Sequence, residues 1–397
     1  MTADYADVYK AGVLAATLSR TGEGVAFEYT TQYLDLGGPA VASTLPLTDQ
    51  PRVTAAGAVP PFFAGLLPEG RRLTKLRQAI KTSADDELSL LVAVGADPIG
   101  DVQIVASREL PTEPEAAVSA GQDFTSIRFA DLLDNAGIID PVGIAGVQDK
   151  VSARMLSLPV RRAHERFILK LNPPDFPHVV ENEAFFIALA RRARIPSVEA
   201  MLVHDADGRT GLLVTRFDRV RADGGTGRLA VEDACQALDL WPADKYNVTM
   251  ERSARALIDL CAARPVAARD IFRQTVFAWL TGNGDLHTKN ISVLSTPDGE
   301  RRIAPAYDLP STVPYRDTTF ALTIGGKRTG ISRRMLLQFA SDLGLPEKAA
   351  LSVLDQLLDA TADLDDALSE AALPFDRASL QRSRRELMFR RKLLASP

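Results

Sequence analysis

Residues 6–31 alternate apolar and polar positions on either side of Thr21, Gly22, Glu23 and Gly24. A period of two flanking a glycine turn predicts a β-hairpin, with the glycines supplying positive φ. After a proline-rich patch at Pro51, Pro60 and Pro61, the period changes. Pro68 precedes GRRLTKLRQAI, where Leu73, Leu76 and Ile80 recur at near-helical spacing. Residues 111–122 (PTEPEAAVSAGQ) carry no apolar period and read as a linker. Beyond it the pattern predicts a helix at 128–137, a glycine turn running into a strand, the strand RFILKLN, the amphipathic helix ENEAFFIALARRARI and the hairpin VEAMLVHDADGRTGLLVTRFDR. Short strands around a single helix predict an antiparallel α+β unit. From residue 232 the period is helical almost throughout, including VEDACQALDL, interrupted by GNGDLHTKNISVL and RIAPAYDLPST. A β-rich front and a helical back, with polar motifs in the breaks, is a two-lobe layout. It divides as 1–112, 123–230 and 231–397.

Composition narrows the class. The chain has 397 residues, 46% hydrophobic and 24% charged, which is globular and excludes a disordered, collagenous or coiled-coil protein. Its net charge of −5 makes direct nucleic-acid binding an unexpected role, because phosphate neutralisation supplies most of that affinity. Two cysteines, Cys235 and Cys261, give neither a disulfide framework nor a CxxC metal site. No signal-like start or membrane-length apolar run occurs, so a soluble cytoplasmic protein without membrane contact is expected.

Chemistry concentrates in GNGDLHTKN (282–290). Asp285 and Asn290 stand five apart in a glycine-started loop between an apolar helix and an apolar strand. That is the spacing of a protein-kinase catalytic loop, in which the Asp accepts the substrate hydroxyl proton and the Asn holds Mg²⁺. His287 and Lys289 add a donor and a positive charge. Eighteen residues after Asn290, Asp308 offers a second hard-oxygen ligand of the kind Mg²⁺ prefers. Lys170 lies inside the apolar strand FILKL, where an unpaired ammonium is costly. A helix carboxylate should pair with it, and Glu183 leads the apolar face of ENEAF where Glu181 does not. The plainer alternatives are a polar loop with capping Asn and Asp, an Asp-x-Pro turn, and an edge-strand lysine facing solvent. Ala145, Gly146, Val147, Gln148, Asp149 and Lys150 sit in a strand–turn–strand context whose backbone N–H groups could cradle phosphates.

In order along the chain, these parts resemble a HipA-type serine/threonine kinase, the toxin of a bacterial type II toxin–antitoxin pair. FFAGLLPEG (62–70) and VGADPIGDVQI (94–104) resemble that family's N-terminal motifs, and GIAGVQDK, FILKL, ENEAF, VTRFDR, EDACQ, GDLHTKN and AYDL follow in family order. The resemblance implies an α+β, kinase-like two-lobe fold with a β-rich N-terminal lobe and an all-helical C-terminal lobe. It implies Asp285 as catalytic base with His287 supporting its loop, Asn290 and Asp308 as Mg²⁺ ligands, Lys170 and residues Ala145 to Lys150 on the ATP phosphates, and His287 and Lys289 among the other cofactor-binding residues. Thr215, Arg216 and Phe217 would meet the adenine, and Tyr307 would lie beside the nucleotide. The implied activity is phosphorylation of a protein serine, with aminoacyl-tRNA synthetases, notably the glutamyl enzyme, as target class. A small helix-turn-helix antitoxin is the implied partner, and operator DNA is reached only through that complex.

The sequence departs from the family at Gly143, which stands where its best-known members carry an autophosphorylated serine. Ser152 is not a matched position, so self-inactivation by phosphorylation of this loop is not expected. Two other functions compete: a catalytically silent nucleotide-binding scaffold or co-repressor, and a small-molecule phosphotransferase. Intact Asp285, Asn290 and Asp308 count against the first; a histidine after rather than before the Asp counts against the second. His164, His178 and His204 have no ligand cluster around them and read as surface or strand-edge residues. The basic run 382–392 reads as a solvated terminal helix, or as a contact to operator DNA within the partner complex.

Overall fold

The computed structural model describes residues 3–112, 123–135, 156–162, 165–222, 225–371 and 373–395. The alternating front end forms β1 (Tyr5–Lys10), β2 (Val13–Arg20) and β3 (Gly24–Tyr29), followed by β4 (Arg52–Ala55) and β5 (Val102–Ala106). They make one antiparallel sheet in the order β4-β3-β2-β1-β5, so the expected hairpin is the β2–β3 corner of a larger sheet. Val8, Leu18 and Phe27 bury their side chains with Phe62, Phe63, Leu88 and Leu91 from the intervening helices. Each such side chain contributes about 1.5–3 kcal/mol of hydrophobic stabilisation.

A second antiparallel sheet, order β6-β7-β9-β8, is built from β6 (Leu156–Arg162), β7 (Glu165–Leu171), β8 (Ala200–His204) and β9 (Thr210–Thr215). Lys170 pairs with Ser157 on one side and Leu212 on the other, so β7 is central and the edge-strand reading of Lys170 fails. The helix Val179–Arg192 packs its Val180, Phe186 and Ile187 face inward and delivers Glu183 beneath the sheet. A short hairpin, β10 (Arg219–Ala222) and β11 (Gly225–Arg228), follows.

The remainder is helical around Arg264–Thr281, a helix whose C-terminal half is buried on every side. It also contains a three-stranded sheet, β12 (Val231–Asp233), β13 (Ser292–Ser295) and β14 (Arg301–Ile303): β13 is the apolar strand expected after the 282–290 loop, whereas β12 and β14 correct the expectation of an all-helical C-terminal lobe. The helical reading of VEDACQALDL is corrected at its start, because Val231–Asp233 pairs with β13 before Asp233 caps the turn Ala234–Ala237. Among the described residues no helix is long and apolar enough to cross a membrane.

The basic run is corrected more substantially. It belongs to the helix Arg377–Ala395, in which Arg385 and Lys392 are exposed while Arg382, Arg390 and Arg391 donate to acceptors within the protein. Arg390 is fully buried, lies 4.2 Å from the Trp279 ring centroid, and donates to the carbonyls of Trp279 (3.1 Å) and Thr318 (2.6 Å). Arg391 donates to Leu358 O, and Arg384 pairs with Asp365 at 2.6 Å. Carbonyl oxygens at helix ends need donors, and a guanidinium supplies several at once. Arg390→Met should therefore strand two buried acceptors and lower unfolding free energy by about 2–4 kcal/mol. Urea denaturation measures this; a loss below ~1 kcal/mol would place Arg390 among surface charges.

The amino-terminal unit is joined to the rest through polar contacts. Asp97 pairs with Arg216, Arg219 and Arg228 at 2.7–2.9 Å, while Asp218 bridges the first two and accepts from Gly100 N. Ser43 donates twice to Glu232, and Arg52 pairs with Asp239. These contacts tie the amino-terminal unit to residues 216–239.

Candidate active site

The helix Arg264–Thr281 ends at Gly282, which takes φ 69° and offers its N–H to Trp279 O. A side chain there would be strained, and its Cβ would also come within 2.6 Å of Val313. At Gly284 a Cβ would lie 2.5 Å from Thr312 Oγ1. The two glycines let the chain turn sharply out of a buried helix and present Asp285 at its end. Asn283 fixes the turn: its Oδ1 accepts from Asp285 N at 2.9 Å, and its Nδ2 donates to Asp308 O at 3.0 Å. Asn290 closes the loop by donating Nδ2 to Asp285 O at 2.9 Å. Asp285, Asn290 and Asp308 are thus linked by a continuous chain of hydrogen bonds.

The Asp285 carboxylate is buried and accepts from the Tyr246 hydroxyl at 2.7 Å. Burial and the Asp285 charge raise the Tyr246 pKa well above the phenol range, so it remains a donor. His287 stacks edge-on against Tyr246 at 4.9 Å, accepts from Lys289 N through Nδ1, and holds Nε2 4.0 Å from Asp285. Burial lowers its pKa to about 4 against the opposing pull of Asp285, so the imidazole is neutral at physiological pH. With Nδ1 accepting, the ring proton sits on Nε2, facing the carboxylate.

On β7, Lys170 Nζ lies 2.7 and 3.0 Å from the two Glu183 oxygens and also donates to Asp308. Burial alone would lower the lysine's pKa; Asp308 and Glu183 override it and keep the ammonium charged. Two carboxylates share one cation, and burial together with the Asp308 charge pushes Glu183 upward. Glu181 instead accepts from Asn172 at 2.9 Å, so the choice of Glu183 over Glu181 agrees with the geometry. Asp308 reaches Lys170 from a left-handed residue (φ 51°), a conformation Asp tolerates better than most side chains.

Other expected residues are distributed unevenly. Tyr307 stacks on Phe217 with centroids 5.5 Å apart and a 24° interplanar angle, and its hydroxyl meets Ser292 Oγ (2.5 Å) and Lys289 O (2.8 Å). Thr215 ends β9 beside this pair. Arg216 is between them in sequence, but its guanidinium is committed to Asp97 and Asp218, so only its backbone remains for a ligand at this edge. Lys289 is likewise committed: its Nζ meets Glu69 Oε1 at 2.8 Å and Gly65 O at 2.9 Å. Residues Ala145 to Lys150, Gly143, Ser152 and His164 lie outside the described residues. His178 packs edge-on against Phe375, and His204 ends β8 in solvent.

Three site residues went unread in the sequence: Tyr246, Asn283 and Glu69. Asn283 stood inside the quoted GNGDLH run, where an Asn two before an Asp is a recognisable local acceptor. Glu69 stood inside FFAGLLPEG, but nothing local showed that it reaches Lys245 and Lys289.

Known proteins place this geometry in context. Residues 142–364 match the family model of the HipA-like C-terminal domain, and residues 6–105 that of the HipA N-terminal domain. The chain is 31% identical over 373 residues to the Sinorhizobium fredii protein "Putative kinase Y4mE", covering 87% of each chain. It is 26% identical over 374 residues to the serine/threonine-protein kinase toxin HipA of Shewanella oneidensis, covering 85% of this chain and 82% of that one. In fold it is similar to a HipA of Shewanella oneidensis MR-1 solved with HipB and operator DNA (TM-score 0.79, 23% identity), covering 98% and 97% of the two chains.

Proposed function

The chain belongs to the HipA family of kinases, and from that premise we propose that it is an ATP- and Mg²⁺-dependent serine/threonine protein kinase acting as the toxin of a toxin–antitoxin pair. The observation that carries this reading is that Asp285, Asn290 and Asp308 are hydrogen-bonded in series and Lys170 is paired with Glu183 and Asp308. The donor set fits Mg²⁺. Asn290 spends its amide nitrogen on Asp285 O, leaving an oxygen ligand, and Asp308 adds a partly exposed carboxylate. Mg²⁺ is commonly held by one or two such groups, with substrate phosphates and water completing its shell. Held by Asn290 and Asp308, the ion would neutralise charge on the phosphate oxygens.

The protein's own contributions follow from its geometry. Lys170 stays protonated and supplies a fixed positive charge for nucleotide phosphates. Phe217 and Tyr307 offer stacked rings beside the backbone of Thr215 and Arg216 for the base. Asp285, its rotamer set by Tyr246, orients the attacking serine hydroxyl and accepts its proton as the new O–P bond forms and ADP departs. Neutral His287 faces Asp285 without competing for that proton.

The partner and target are part of the same proposal. Because the solved relative is a complex with HipB and operator DNA, a small helix-turn-helix antitoxin is the partner we assign, with DNA reached through it. The protein substrate is assigned to the aminoacyl-tRNA synthetase class. Incubating purified protein with Mg²⁺, labelled ATP and host lysate is expected to label one dominant protein on serine, identifiable by mass spectrometry. A preparation that binds ATP yet labels nothing would overturn the kinase reading in favour of a silent scaffold.

A further inference from the structure

Glu69 occupies the N-cap of the helix Gly70–Ile80, yet its carboxylate makes no capping bond to that helix. It turns instead into the seam with the catalytic loop, where it meets Lys245 and, at 2.8 Å, Lys289. Burial disfavours the carboxylate charge, but Lys289 and Lys245 outweigh it and bring the Glu69 pKa down to about 2. Those two lysines bracket Asp285. Lys245 O accepts from Thr288 N (3.3 Å) and Thr288 Oγ1 (3.1 Å), and the next residue, Tyr246, donates to Asp285. Lys289 donates its N–H to His287 Nδ1, takes the Tyr307 hydroxyl on its carbonyl, and precedes Asn290. Without the shared carboxylate, two nearly buried ammonium groups would face each other across the loop.

We propose that Glu69 is a positioning residue of the phosphoryl-transfer site: the amino-terminal unit inserts one carboxylate between Lys245 and Lys289 and so holds residues 283–290 in their catalytic arrangement. This rests on the kinase reading above. It makes the first sheet and its helices a working part of the site rather than an appendage.

Full-length Glu69→Gln tests it with two readouts. Amide hydrogen exchange across residues 283–290 is expected to accelerate, while β1–β3 remain as protected as in the parent. Turnover is expected to fall ~10–100-fold with nucleotide affinity changed by less than about twofold, since misplacement near 1 Å costs rate rather than binding. The double variant Glu69→Gln/Lys245→Gln removes one stranded ammonium and supplies the same readings if the single variant does not fold. Parent-like exchange and turnover would overturn the proposal. So would equal losses in exchange protection over the whole chain, which would make Glu69 a general support of the fold. If the parent itself transfers no phosphate, the kinase reading fails, and exchange of the loop alone decides whether Glu69 holds it.

Discussion

Asp285→Asn is expected to remove detectable phosphoryl transfer, a loss of ~10²–10⁴-fold or more, while nucleotide affinity and thermal midpoint stay near those of the parent. The reasons lie in what the substitution keeps and what it removes. An amide oxygen at this position still accepts the Tyr246 hydroxyl, and the backbone contacts from Asn283 and Asn290 do not involve the side chain. The loop should therefore hold its shape. What disappears is a carboxylate able to take a proton and to orient a serine hydroxyl by a charge-assisted hydrogen bond. Transfer from labelled ATP to the protein substrate measures the first effect, and calorimetry with nucleotide measures the second. Relief of growth arrest on expression without the antitoxin is the expected cellular counterpart. If Asp285→Asn transferred phosphate at the parent's rate, the base would have to be sought elsewhere.

Much of this site could be read from the chain because its constraints are local. A lysine in an apolar strand demands a partner, and the following helix offers two carboxylates of which only Glu183 sits on the buried face. A glycine after an apolar helix, then Asp and Asn five apart, specifies a turn that carries both side chains in one short loop. The strand around Lys170 was legible as the short apolar run FILKL. Long-range contacts had no such signal. The family resemblance put Arg216 beside the adenine, but its partner Asp97 is 119 residues away, and no periodicity couples them. Arg390 and Arg391 looked like part of a surface charge run because they find carbonyl oxygens, which every residue carries. Tyr246 finds Asp285 only through the packing of the turn after Trp241. Val231–Asp233 is too short for its alternation to compete with the helical period that follows.

Lys170→Met is expected to affect both the fold and the ligand, and a second substitution separates the two. The methionine keeps the volume but leaves Glu183 fully buried, with Asp308 as its neighbour and no cation between them. Breaking a buried pair from one side costs about 3–5 kcal/mol in general. Uptake of a proton by one carboxylate should reduce this toward the lower end, at the expense of making stability fall as pH rises. The sign follows from linkage: a carboxyl protonated in the native protein but ionised when unfolded holds more protons in the native state, so raising the pH favours unfolding. Nucleotide affinity should fall ~10–100-fold, the worth of one charge-assisted phosphate contact of about 1.5–3 kcal/mol. Adding Glu183→Gln removes the stranded charge, so Lys170→Met/Glu183→Gln should regain a large part of the lost stability and flatten its pH dependence. Affinity should remain low, because neutralising Glu183 does not restore a positive charge facing the phosphates. Chemical denaturation across pH 5–9 and calorimetry with ATP and Mg²⁺ distinguish these outcomes. A double variant that recovered affinity along with stability would show that Lys170 serves the fold and not the nucleotide.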